Sequence, residues 1–241
     1  MAPEPATVTY LFHLAAGRDE RITLRFAPET HLLLPEDGDA PPAWTHLAFH
    51  PCAPCPLAPT PGALCPFARA LGGFVHRFDA FYSYERAVVE VITAQRTMVA
   101  PCSLQEALAS IAGLIGATSG CPLLAFFRPM ARFHLPFASE QETLVRAFSL
   151  HLLGEYLKAG GSGARPVSVE ALEARYAAVS EVNRGMANRL RAAFSRDAAV
   201  NAIIILDTFA QAVPFVAGEA LAELRPLFEG IPAPPPRSVG R

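Results

Sequence analysis

Residues 103–122 read SLQEALASIAGLIGATSGCP, and this stretch divides the chain into two halves of different character. It opens with Ser103-Leu104-Gln105-Glu106, a capping-box pattern in which serine and glutamate satisfy free backbone amides at a helix start. Apolar residues then recur at helical spacing, and Gly120 and Pro122 end the pattern. We predict a buried helix here, with strands before it and helices after it.

The segment before this helix has the composition of short strands and one helix. Phe67–Phe81 carries apolar residues at helical spacing and predicts a helix. We expect this helix to pack on a small antiparallel sheet of about five strands. The runs that predict strands are Val8–His13, Arg21–Phe26, His31–Leu34, Trp44–Phe49, Ala87–Ile92 and Arg96–Val99.

The segment after it predicts only helices. A second capping box, Ser139 to Glu142, opens one of them. The other predicted helices are Val169–Phe194, Asp197–Val213 and Leu221–Phe228. The fold class is therefore α+β, with a strand-rich part over residues 1–101 and a helical bundle over 102–230 that packs on it. The proline-rich residues 231–241 predict a disordered tail.

The bulk composition excludes several classes of protein. Of 241 residues, 51% are hydrophobic and 17% are charged, which is typical of a globular chain. A net charge of −2 argues against a nucleic-acid partner, which needs a concentrated basic surface. The start MAPEPATVTY has no apolar signal region, and glycines and a proline interrupt the uncharged run Ala107–Phe127. We therefore expect a cytoplasmic protein without membrane insertion.

Four of the five cysteines form an unusual pattern. Cys52, Cys55 and Cys65 follow the spacing C-x2-C-x9-C, and Cys121 comes where the helix from Ser103 should end. A C-x2-C turn allows two thiolates to face one centre, and the neighbouring prolines stiffen it. Residues 50–66 thus form a cysteine-rich loop that Cys121 can reach, clamping the helical part to the sheet.

Three interpretations of these cysteines stay open. Structural zinc held by Cys52, Cys55, Cys65 and Cys121 is the leading hypothesis, with His50 as a substitute ligand. A 4Fe-4S cluster is the second, since apolar Cys-Pro loops shield such clusters from water. The third is that these are buried free thiols that bind no metal. Cys102, which follows a strand, is predicted to take no part.

Several segments together resemble an uncharacterised bacterial protein family, a domain of unknown function. The similarity runs over most of the chain and implies no particular activity. The matching pieces are His50–Leu57 (HPCAPCPL), Cys65-Pro66, Ser103–Gln105, Ala117–Pro122 (ATSGCP), Pro129–Phe137 (PMARFHLPF) and Glu142-Thr143.

A second candidate site lies in the segment 127–137, where basic residues alternate with aromatic ones between prolines. Arg128, Arg132 and His134 are candidate anion-binding residues, because paired guanidinium groups bind carboxylates well. The alternative is that the arginines form ion pairs with Glu140 and Glu142 at the next helix start.

No motif of a known enzyme class occurs in the sequence, so catalysis is left undecided. A metal-free scaffold that binds a protein partner on its helical half is the alternative to a metal protein. Asp207 follows an apolar run and could act as a carboxyl with a perturbed pKa at a site. We favour the alternative that it caps a helix or pairs with an arginine such as Arg189 or Arg191.

Overall fold

The computed structural model describes residues 4–14, 17–35, 40–160 and 169–230. The first half of the chain contains an antiparallel sheet of four strands. Their spatial order across the sheet is β2-β1-β3-β4, numbered along the chain. The strands are β1 (Ala6–His13), β2 (Asp19–Phe26), β3 (Arg86–Thr93) and β4 (Thr97–Ser103).

Six α-helices accompany this sheet in the described residues, and all but the first follow it in the chain. They are α1 (Pro66–Val75), α2 (Leu104–Thr118), α3 (Arg128–Arg132), α4 (Glu140–Lys158), α5 (Val169–Ala193) and α6 (Ala198–Ala222). The predicted α+β class, a sheet with one helix followed by a helical bundle, is confirmed.

The sheet buries one face under helices. Val8, Tyr10 and Phe12 alternate inward along β1, as the two-residue period of a strand requires. The Phe12 ring lies 4.9 Å from the ring of Phe78, which follows α1, and the Tyr10 hydroxyl is 2.9 Å from Ser110 Oγ on α2. One cluster of buried residues therefore includes both the sheet and the helices.

Helix α2 is the central element of the fold, and the pattern of residues 103–122 predicts it as a buried helix. The backbone amide and the side-chain hydroxyl of Ser103 both donate to the Glu106 carboxylate, at 2.7 and 2.8 Å. Near its other end, a Cβ at Gly116 would lie 3.1 Å from Leu124 and 3.2 Å from Phe67. Glycine at this position therefore allows α1 to pack closely against α2, and this contact positions the cysteines.

The predicted strand at Trp44–Phe49 is wrong. Residues Ala43–Thr45 form a single 3-10 turn, and only His46 makes an isolated bridge, to Leu64. The carbonyl oxygens of Trp44 and His46 accept hydrogen bonds from Arg189 on α5, so they are not available to a neighbouring strand.

The other differences concern the predicted strand His31–Leu34 and the ends of two helices. Leu33 makes one bridge to Phe26 rather than a strand, and α1 changes to a 3-10 turn at His76. The predicted helix ending at Val213 continues to Ala222. The predicted disordered tail, 231–241, lies outside the described residues. Among the described helices, none combines the length and the apolar character that a bilayer crossing requires.

Candidate metal centre

Cys52 and Cys55 occupy a tight turn on the surface of α5. The amide of Cys55 donates to the carbonyl of Cys52 at 3.1 Å, which closes the turn. Both thiols are half-buried and carry no disulfide. The C-x2-C spacing thus directs two sulfur atoms toward the same side of the loop.

Cys65 and Cys121 come to the same place from two helices. Cys65 is the N-cap residue of α1, directly before Pro66, and its amide donates to Thr45 O at 2.8 Å. Cys121 follows the end of α2, where Gly120 adopts a positive φ of 88° and turns the chain. Glycine tolerates this left-handed conformation without strain.

All four cysteines line one small cavity. Its volume is about 20 Å³, roughly the space that one water molecule needs. The remaining wall is apolar and includes Leu47, Leu57, Phe67, Leu123, Val182 and Met186. The structure therefore brings together the four cysteines that the spacing singled out.

Gly185 allows the cysteine loop to contact α5. A Cβ at this position would lie 2.9 Å from Cys52 Sγ and 3.2 Å from Cys52 Cα. Cys52 Sγ also lies 3.8 Å from the carbonyl oxygen of Val182, one turn earlier. The cysteine loop thus contacts the backbone of α5 directly, because Gly185 has no side chain.

Arg189 forms hydrogen bonds with the backbone of the segment that leads into the cysteine loop. Its side chain is 1% exposed. Nη1 donates to the carbonyls of Trp44 and His46, both at 2.6 Å, and Nη2 donates to His50 O at 3.4 Å. No carboxylate in the described part of the chain forms an ion pair with it. The prediction that Arg189 or Arg191 pairs with Asp207 is wrong, because Asp207 accepts from Ser180 and Gln211.

The electrostatics of the four thiols and this guanidinium are linked. Burial raises the pKa of Cys52 to about 12, and the nearby Cys65, Cys55 and Cys121 add to the rise while Arg189 opposes it. Burial also raises the pKa of Cys121 and lowers the pKa of Arg189. Without a metal ion, the thiols of Cys52 and Cys121 keep their protons, and the buried cation Arg189 lies near Cys52.

The side-chain positions as they stand do not form a finished coordination shell. Within the described ranges, no three His, Cys, Asp or Glu side chains have the arrangement that holds a metal ion. His50 is exposed and does not line the cavity, so the cysteines converge without the substitute ligand. Cys102 lies on β4, opposite Ala87, apart from the other four.

The residues of the second candidate site, Arg128, Arg132 and His134, lie in two different environments. Its arginines lie on α3, a helix of five residues. Arg128 and Arg132 lie near His31, whose pKa is lowered by burial first and then by these two charges. Within the described residues neither arginine pairs with a glutamate, because the Glu142 carboxylate accepts from the Ser139 amide at 2.7 Å.

His134 points in another direction, into the core. Its Nε2 lies 2.5 Å from the hydroxyl of Tyr10. Burial raises the pKa of Tyr10, so the hydroxyl keeps its proton, and it forms hydrogen bonds with both His134 Nε2 and Ser110 Oγ. Burial also lowers the pKa of His134 to about 3, with Arg146 adding to the fall. His134 is therefore neutral and supplies no positive charge to an anion.

Sequence reasoning missed Gly185 and Arg189, the two residues of α5 that position the cysteine loop. Val182 and Met186 lie in the apolar stripe that predicted α5, and Arg189 continues the same face. A single arginine following such a stripe was the available signal.

Comparison with protein-family models matches residues 8–229 to a domain of unknown function (DUF6901). No curated protein and no solved structure matches the chain.

Gly185→Ala is expected to lower the free energy of unfolding by about 1–3 kcal/mol, because the new methyl group overlaps Cys52. The matched control is Gly154→Ala on α4, where a Cβ meets nothing within 4 Å. The control should stabilise the protein by up to about 1 kcal/mol through helix propensity. Urea unfolding of both variants measures the difference, and equal effects would show that Cys52 does not rest on Gly185.

His134→Gln is expected to make the protein more resistant to acid. The pKa of His134 is depressed in the folded state, so the unfolded chain binds a proton first as the pH falls below about 6.5. Between pH 7 and pH 5 this linkage removes about 1–2 kcal/mol of stability from the native protein. Urea unfolding at both pH values measures the loss, which His134→Gln should reduce. An unchanged loss in the variant would mean that His134 titrates normally in the fold.

Proposed function

The chain belongs to the family described as a domain of unknown function (DUF6901), and we propose that it binds a structural zinc ion through Cys52, Cys55, Cys65 and Cys121. The observation that carries this proposal is that all four cysteines line one small cavity. They come from two parts of the chain, the loop of residues 50–66 and the turn after α2. Zinc is bound by four cysteine thiolates in many structural sites.

The surrounding charges support an anionic centre. Zinc with four thiolates carries a formal double negative charge, which is costly to bury without compensation. Arg189 supplies a buried positive charge whose partners are backbone carbonyls. Cys65 also lies at the N-terminus of α1, where the helix dipole favours negative charge. Zinc binding would therefore balance a cation that the fold has already buried.

The thiols have to turn to complete the site. Cys52 Sγ is directed at the Val182 carbonyl, 3.8 Å away, and rotation about its Cα–Cβ bond releases that contact. The loss of a weak thiol hydrogen bond is small beside the free energy of forming zinc–thiolate bonds.

The size of the cavity favours zinc over an iron–sulfur cluster. A space of about 20 Å³ suits a single ion. A 4Fe-4S cluster, which contains eight atoms besides its ligands, would require the cysteine loop to move outward. The cluster stays the alternative cofactor.

A zinc ion here would have a structural role. It would join the loop after Trp44, the start of α1 and the end of α2, and it would hold all three against α5. Zinc bound only by the folded state stabilises that state by mass action. We further propose a cytoplasmic location, where thiols stay reduced and available to the metal.

A metal-free interaction protein is the second candidate, and an exposed apolar surface favours it. Leu152, Leu153, Tyr156 and Leu157 on α4 are 46–65% exposed. A row of large apolar side chains in water is typical of a surface that binds another protein. This candidate predicts no metal and five titratable thiols.

Metal analysis of anaerobically purified protein tests the proposal. We expect about one zinc ion per chain and no visible absorption band. Cys121→Ala should lower bound zinc at least about tenfold, since it removes one of four ligands. Cys102→Ala is the matched control and should leave the zinc content unchanged.

Two other results would contradict the zinc proposal. A brown protein containing iron and sulfide would establish the cluster instead. Protein that takes up no metal on addition of zinc, with five reactive thiols, would support the metal-free interaction protein.

A further inference from the structure

A much larger cavity lies on the other side of α2. Its volume is about 740 Å³, within the range of about 300–1,000 Å³ that is usual for ligand pockets. Residues between Ala109 and Ala117 on α2 form one wall, and the stretch Ile204–Ala212 on α6 forms another. Residues of α4 and α5, of the segment before α4 and of the end of β4 also line it.

Two buried polar groups in this lining lack a partner. Tyr176 is 1% exposed and Asn183 is 3% exposed. Neither the Tyr176 hydroxyl nor Asn183 Nδ2 has a hydrogen-bond partner in the described structure. A buried donor without an acceptor costs about 1–3 kcal/mol, so such groups call for an explanation. Both residues line a cavity that is large enough for a ligand that accepts hydrogen bonds.

Arg146 adds a positive charge near Tyr176. It lies on α4 and lines the same cavity. Its Nη2 donates to the carbonyls of Met130 and Phe133, at 3.0 and 2.9 Å. No ion pair to a carboxylate is formed by this guanidinium within the described residues.

Tyr176 and Arg146 line the same cavity. Burial raises the pKa of Tyr176, and the charge of Arg146 opposes this rise. The hydroxyl stays protonated at neutral pH and can donate. A protonated hydroxyl and a guanidinium together suit an anionic head group that accepts several hydrogen bonds, such as a carboxylate.

Most of the remaining lining suits an extended apolar body, and Glu106, His134 and Glu140 lie among its residues. The α2 wall from Ala109 to Ala117 is about 12 Å long at 1.5 Å per residue. It consists of small and aliphatic residues, and the facing α6 wall carries Ile205, Leu206 and Phe209. A flexible aliphatic chain fills such a space by burying its surface, at about 0.8 kcal/mol for each CH₂ group.

We propose that this cavity binds a long-chain aliphatic carboxylate. The carboxylate contacts Arg146 and the Tyr176 hydroxyl, and the alkyl chain lies along the surfaces of α2 and α6 that line the cavity. Asn183, two turns farther along α5, gives a second donor beside the chain. The site is separate from the cysteine centre, since Phe67 is the one described residue that lines both cavities.

Calorimetric titration with dodecanoate below its micelle concentration tests this proposal, with methyl dodecanoate as the uncharged comparison. We expect dodecanoate to bind at least about tenfold more tightly than the ester, because the ester cannot form charge-assisted hydrogen bonds. Arg146→Met should abolish this preference for the acid.

Tyr176→Phe separates a ligand contact from a structural role. The variant should bind dodecanoate about tenfold more weakly, yet the free protein should melt at the same temperature or higher, because an unpartnered hydroxyl has been removed. Tyr156→Phe, at an exposed position of α4, is the matched control and should change neither property.

Absence of dodecanoate binding to the native protein would overturn the proposal. So would equal affinity for acid and ester, or Tyr176→Phe binding as tightly as the native chain. If Arg146→Met fails to fold because Met130 and Phe133 lose their donor, the ester comparison and Tyr176→Phe still decide.

Discussion

The buried guanidinium of Arg189 is the interaction on which the arrangement of the cysteines depends. Three backbone carbonyls of the segment 44–50 point at it, and this keeps that segment out of the sheet. A charge removed from water is expensive unless it is fully hydrogen-bonded. Loss of this side chain would leave three carbonyls unsatisfied and release the start of the cysteine loop from α5.

The rest of the centre is built around the same face of α5. Gly185 leaves room for Cys52, and Val182 and Met186 close the cavity beneath the four sulfur atoms. From the opposite side, Gly116 allows Phe67 to pack against α2, which brings the start of α1 to the end of α2. Two glycines thus permit the two close approaches that assemble the site, one on each side of the cysteines.

The local patterns in the sequence predicted much of this architecture. Capping boxes at Ser103 and Ser139 marked two helix starts, because the reciprocal hydrogen bonds need only residues three apart. The cysteine spacing singled out the four residues that share a cavity. Alternating apolar residues predicted β1 and β2 for the same reason, since a strand's inward face repeats every second residue.

What the sequence could not predict depends on contacts between distant segments. The carbonyls that Arg189 binds are more than 130 residues away from it in the chain, and their use there turned an apparent strand into a 3-10 turn. Arg128, Arg132 and His134 looked like one site because they are close in sequence. Helix α3 directs the arginines toward His31, and the chain beyond it places His134 on Tyr10. The cation near the large cavity, Arg146, comes from the following helix.

Zinc K-edge X-ray absorption of the protein loaded with one equivalent of zinc tests the central claim most directly. We expect a first shell of four sulfur atoms at about 2.3 Å, which is the distance of zinc–thiolate bonds in structural sites. A shell dominated by oxygen or nitrogen neighbours near 2.0 Å would contradict it, because the ion would then be bound away from the four cysteines.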